Sequence, residues 1–168
     1  GYLIDTQRAS LTHIDRVVRY SPGETLEIDA ATRRSLEVTC TYRDGRREGS
    51  LLDVIDRTVT AMGSRLLADW LSNPLAQIEP IDERLDAVAE LVADAALANA
   101  LQDQLRDVYD LERLLTRVST GRASPRDLSF VGRTLCGLPQ LKAKITARQA
   151  PLLQRLEAQL DLCCEVRA

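Results

Sequence analysis

A chain of 168 residues, 45% hydrophobic but only 4% aromatic, is long enough to bury one core built from Leu, Val, Ile and Ala, which favours packed helices. Its net charge of −3 and pI near 5.3 argue against a free-standing nucleic-acid-binding domain, which would show a basic face. No run of about 18 apolar residues is present to cross a membrane, no signal peptide precedes the first recognisable block, and Cys40, Cys136, Cys163 and Cys164 show no CxxC spacing, so a reduced, cytoplasmic protein is expected.

In chain order, Tyr2 to about Leu11 reads as the end of a helix. Val18 and Tyr20, then Leu26 and Ile28, alternate with charged residues around Ser21-Pro22-Gly23-Glu24, which predicts a small β-hairpin. Asp29 caps a helix over Ala30 to Val38 that buries Leu36 and presents Arg33 and Arg34, and Cys40 to Gly49 is a mobile, polar surface loop. Ser50 with Asp53 forms a capping box for a short helix through Leu51, Leu52, Val54 and Ile55. Thr60 caps a second helix with Leu66, Leu67, Trp70 and Leu71 on one apolar face, with Trp70 as a core anchor and an end before Pro74. Gly63 inside it costs about 1 kcal/mol against Ala, which points to close approach of another backbone.

Pro80 marks the next helix at its N1 position, with Ile81, Leu85, Val88 and Val92 as its stripe. Asp94 caps a helix carrying Leu97, Leu101, Leu105 and Val108, and Asp110 restarts it through Leu111, Leu114, Leu115 and Val118 to Gly121. Ser124-Pro125-Arg126-Asp127 is the clearest helix start, followed by Leu128, Val131, Leu135 and a break near Gly137-Leu138-Pro139. The last helices occupy about Leu141 to Ala147 and Leu152 to Val166. The fold class expected is mainly α: one multi-helix domain over 1–168 with one small β-hairpin near the N-terminus, divided into 1–49 and a helical body at 50–168.

Four stretches carry a resemblance. Asp5 to Ile14 (DTQRASLTHI), Ile28 to Val38 (IDAATRRSLEV), Asp56 to Leu75 (DRTVTAMGSRLLADWLSNPL) and Asp110 to Leu128 (DLERLLTRVSTGRASPRDL) resemble, in family order, the core (lever) domain of the bacterial MutS mismatch-repair ATPases. Ala61 departs from the pattern, which usually has Pro there. The resemblance implies a piece of a larger multidomain protein, a reading that the missing initiator Met, apolar Tyr2-Leu3-Ile4 and the closing stripe Leu152, Leu153, Leu156 and Leu160 also suggest. It further implies that the parent is a DNA-dependent ATPase using ATP and Mg, a homodimer working with other repair proteins. In such a parent this segment would link mismatch recognition and DNA clamping to the ATPase domain. The resemblance also places Arg33 and Arg34 at a junction with neighbouring domains, with Gly63 a further contact candidate.

Within the chain itself no enzyme is expected, and no cofactor. The one histidine, His13, rules out a multi-His metal site. Gly45 to Ser50 (GRREGS) lacks the lysine and spacing of a P-loop. The Phe-x-Glu mismatch-reading motif is absent too. Arg43, Arg46 and Arg47, with Arg33 and Arg34, form the densest basic stretch and could touch phosphate; a solvated face balanced by Glu37, Asp44 and Glu48 is the plainer reading. Asp53 with Asp56, and Asp82 with Glu83, are better explained by capping and the helix macrodipole than by acid–base chemistry. Cys163 and Cys164 read as small apolar residues on a helix. The partners expected are other domains of the same chain and, through the parent, DNA. Alternatives are a stand-alone helical interaction module, a DNA-binding domain acting alone, and the core of a MutS relative working in recombination.

Overall fold

Side-chain caps set most of the helix starts. The computed structural model describes residues 23–163, and among them eight helices follow in order: α1 (Ala30–Ser35), α2 (Leu51–Ile55), α3 (Ala61–Ser72), α4 (Ile78–Ala93), α5 (Ala95–Arg106), α6 (Leu111–Ser119), α7 (Pro125–Ile145) and α8 (Pro151–Gln159). Asp29, Ser50, Thr60, Asp94, Asp110 and Ser124 each accept from a backbone N–H two or three residues on, as their sequence positions suggest. Ser124 and Asp127 complete the reciprocal capping box, with Pro125 at N1.

The helical class holds, but the hairpin is not supported. Val18 to Tyr20, with the Tyr2 to Leu11 helix and His13, lies outside the described residues. The second arm forms no strand. Thr25 instead makes an isolated antiparallel bridge with Leu75, and the Leu26 N–H donates to the Pro74 carbonyl at 2.7 Å. The backbone of this arm is thereby tied to the segment following α3.

Helix α1 is shorter than expected. Glu37 adopts a positive φ of 48°, which swings the chain so that Val38 is buried and Leu36 stays exposed. The turn then lays Glu37 and Val38 against the start of α2, where their carbonyls accept from Leu51 and Leu52. Helix α4 begins at Ile78, so Pro80 falls at the third helical position, not the first.

α4 packs on α5 and α8, α5 and α6 pack on α7, and α7 meets α8. Ala87 of α4 is buried against Ala150 and Leu153, while Leu97, Leu101, Leu114 and Leu138 are buried along the other helices. Small Ala87 permits the close approach of α4 to α8. The expected core stripe of α4, Ile81, Leu85, Val88 and Val92, is exposed instead. Periodicity finds an apolar face but not what it turns toward, and α4 has two such faces. Trp70 is likewise no core anchor: it is exposed, with the Arg84 guanidinium 3.7 Å above its ring.

No break occurs at Gly137-Leu138-Pro139; α7 runs through it. Pro139 removes one backbone donor and strains the preceding turn, but buried Thr134 and Leu138 hold that stretch against its neighbours. α8 ends at Gln159, so the helix expected to reach Val166 stops earlier. Cys163 lies beyond it at a positive φ of 46°, and Cys164 lies outside the described residues.

Candidate interdomain junction

The loop after α1 meets the start of α3 through one carboxylate. Asp56, the C-cap of α2, accepts from the Thr58 hydroxyl (2.6 Å), the Thr58 N–H (2.9 Å) and the Ser64 hydroxyl (2.7 Å), and it pairs with the Arg47 guanidinium. Arg47 also donates to the Ser64 hydroxyl at 3.3 Å. These donors, the Thr58 hydroxyl foremost, hold the Asp56 carboxyl well below its ordinary range. Asp53 behaves as an N-terminal acid of α2, accepting from Gly49 N–H; Asp56 does not, and its role as a cross-linking acceptor escaped the sequence because Ser64 and Arg47 reach it only through the fold.

Gly63 sits where the sequence suggested a close approach, but the neighbour is a side chain. A Cβ there would lie 2.9 Å from Thr60 Oγ1, the oxygen that caps α3 by accepting from Gly63 N–H at 3.0 Å. Gly63→Ala is therefore expected to be neutral or destabilising, although an exposed helical Gly→Ala normally gains about 0.5–1 kcal/mol. Thermal unfolding of the two proteins checks this; a gain approaching 1 kcal/mol would remove the steric argument.

The other arginines divide. Arg33 and Arg34 occupy the last turn of α1 and make no ion pair among the described residues. Arg33 is half-buried and lines a hollow of about 480 Å3 with Leu26, Asp29 and Asn73. Arg43 is 92% exposed and lies 4.0 Å from Asp44, a contact worth little. Arg46 is exposed, and its side chain has no partner among the described residues. The structure thus brings Arg47 into the Asp56 cluster, leaves Arg34, Arg43 and Arg46 exposed, and keeps Arg33 half-buried at the edge of its hollow.

A second clamp was not legible at all. Arg65 of α3 forks onto Asp110 with two bonds of 2.8 Å and reaches Glu112 at 2.5 Å, tying α3 to the start of α6. Asp110 is thus both N-cap and ion partner, and Arg65 depresses its carboxyl. Arg117 then pairs with Asp127 at 2.9 Å, linking α6 to the capping box of α7, and Arg155 pairs with Glu83 at 2.6 Å across α4 and α8. Glu90 accepts from the N–H groups of Gln149 and Ala150, capping α8 from another helix. Glu83 therefore serves as an interhelix partner and not as a capping group.

Asp56, Asp110 and Glu83 are held below their ordinary values by these donors, and Asp127 is lowered by the Ser124 N–H and hydroxyl first and by Arg117 after them. An unfolded aspartate takes up its proton near 3.8, whereas the folded ones resist to lower pH, so the unfolded chain binds more protons in that interval and stability falls as pH drops. The urea midpoint should stay level between about pH 7 and 5 and decline below about pH 4. Asp56→Asn should flatten part of that decline, and a midpoint already falling near neutrality would contradict the assignment.

Comparison with known proteins places the chain. A family model described as MutS domain III matches residues 31–167. The chain is 53% identical over 166 residues to a DNA mismatch repair protein MutS of Rhodopirellula baltica, covering 99% of this chain and 19% of that protein. It is 45% identical over 167 residues to the DNA mismatch repair protein MutS of Symbiobacterium thermophilum, with the same coverage. With that of Anaeromyxobacter sp. strain K it shares 46% over 160 residues, or 95% of this chain and 18% of that protein. The chain therefore spans about a fifth of the length of the curated relatives it matches.

Proposed function

The chain belongs to the MutS domain III family, and on that premise we propose that it is the structural core segment of a DNA mismatch-repair ATPase. In that role it relays between mismatch recognition and DNA clamping on one side and the ATPase domain on the other. It forms part of the core (lever) domain, and the isolated segment has no activity of its own. Its partners are other domains of the same polypeptide and, through the parent, DNA; the parent acts as a homodimer with other repair proteins in the cytoplasm. The mismatch-repair names of the relatives favour repair over recombination and over a stand-alone helical module.

One observation carries the reading: the chain of side-chain clamps Arg47–Asp56–Ser64, Arg65–Asp110 and Arg117–Asp127 joins the loop after α1 to α3, α6 and α7 in succession. Helices fixed to one another in this way repack between discrete arrangements instead of deforming continuously, which is what a relay needs. Arg33 and Arg34, at the C-terminal end of α1 and without an ion pair among the described residues, are the contacts proposed for a neighbouring domain, with Gly63 near the α3 start. Arg43 and Arg46 are the candidate phosphate contacts, Arg47 joining them only if released from Asp56.

ATP and Mg are assigned to the parent and do not fit these residues. The Ser50 hydroxyl, which a nucleotide site would need, is buried; it donates to the Arg47 carbonyl at 2.7 Å and accepts from Asp53 N–H. Among the described residues no cluster of three or more His, Cys, Asp or Glu side chains could hold a metal.

In the full-length protein, Arg65→Ala is expected to leave mismatch affinity nearly unchanged while altering the coupling of ATP turnover to mismatched DNA by about 0.5–2 kcal/mol. Paired assays of mismatch binding and ATP hydrolysis measure this. Unchanged coupling in Arg65→Ala, Arg117→Ala and Asp56→Asn alike would overturn the relay.

A further inference from the structure

Ile78, Ile81, Leu85, Val88 and Val92 recur along α4 at intervals of three, four, three and four residues, the spacing by which one helix packs along another. All are exposed, from 36% at Ile81 to 74% at Val92. A solvated helix face normally carries polar side chains; a line of large apolar ones marks an interface. Beside the line, Val88, Val92, Ala95 and Ala98 border a hollow of about 230 Å3 between α4 and α5, open to knobs from another helix.

The carboxylates of α4 sort by side. Glu83 and Glu90, toward the body, are bound to Arg155 and to the start of α8. Glu79, Asp82 and Asp86 lie on one margin of the apolar line, are exposed, and have no ion pair or hydrogen-bond partner among the described residues. The one cation of this helix, Arg84, is drawn over Trp70.

We propose that α4 is a docking seam for an amphipathic helix from outside these residues, apolar at heptad spacing and bearing Lys or Arg along the edge that meets Glu79, Asp82 and Asp86. Charge selects this occupant. A second α4 lying antiparallel would set one acidic margin against the other. A membrane-surface helix carries Lys and Arg beside its apolar face, and this one carries acids. Nucleic-acid phosphate would be repelled by the same carboxylates. The seam is separate from the Arg47–Asp56 junction and stands whether or not the relay does.

The test uses this chain and two synthetic helical peptides of about three heptads, identical at their apolar seam, one flanked by Lys and the other by Glu. The single tryptophan, Trp70 beneath Arg84, gives a fluorescence readout next to the seam. The Lys peptide is expected to bind at least roughly tenfold more tightly than the Glu peptide. Leu85→Asp and Val88→Asp, at exposed positions where circular dichroism should confirm an intact fold, should abolish binding. Asp82→Lys with Asp86→Lys should reverse the peptide preference. Equal binding of both peptides, binding that survives Leu85→Asp, binding of neither, or dimerisation lost on Leu85→Asp would each overturn the proposal.

Discussion

Replacing Leu153 by alanine should lower the unfolding free energy by about 2–4 kcal/mol, moving the urea midpoint while leaving the slope unchanged. Leu153 is 6% exposed and is packed with Ala87, Ala150 and Leu152, where α8 lies on α4. α8 has nine residues, too few to persist alone, so its helicity depends on this contact and on the Glu90 cap. The neighbours include two alanines and cannot collapse into the space a lost isobutyl group would leave. Leu105→Ala provides the control. The sequence alone ranks Leu105 among the core leucines, for which truncation costs about 2–5 kcal/mol. It is only half-buried, however, and lines an open apolar groove of about 520 Å3, so its truncation should cost about 1–2 kcal/mol. A larger loss at Leu105 than at Leu153 would mean that the core lies along the groove and not between α4 and α8.

These two leucines show what a sequence can and cannot reveal about such a chain. Caps depend on residues two or three apart, so Asp29, Ser50, Thr60, Asp94, Asp110 and Ser124 were readable, and with them most of the helix starts, though not the continuity of α7 through Pro139. Facing depends on partners far away in the chain. In α4 the larger apolar residues dominate the periodic signal, yet Ala87 makes the contact because a small side chain lets α8 come near. The site follows the same division. Arg33, Arg34, Arg43 and Arg46 were visible as a basic stretch, and among the described residues none of them is drawn into a clamp between helices. Arg65 and Asp110, 45 positions apart, carried no local signal of their clamp. Asp110 announced itself only as a cap, which it also is.

Thr134→Val is the sharper probe of that clamp. Thr134 is 1% exposed; its hydroxyl accepts from Tyr109 N–H at 3.1 Å and donates to the Phe130 carbonyl at 3.0 Å. Valine fills the same space but accepts nothing, so the Tyr109 N–H loses its acceptor in a half-buried turn whose ring is stacked on Phe130 at 4.2 Å. The expected cost is about 1–3 kcal/mol. Thr134→Ser keeps the oxygen and should cost less, about 1 kcal/mol for the lost methyl. Hydrogen exchange separates the two causes, because the Tyr109 amide should exchange faster in the valine variant and not in the serine one. The effect should also travel. Tyr109 immediately precedes Asp110, which caps α6 and holds Arg65, so a loosened turn weakens the grip that keeps the Asp110 carboxyl below its ordinary 3.8. An upward shift of the Asp110 titration in Thr134→Val, absent in Thr134→Ser, would show that α7 positions the α3–α6 clamp through this single hydroxyl. An unshifted titration beside faster exchange would confine the hydroxyl's influence to its own turn.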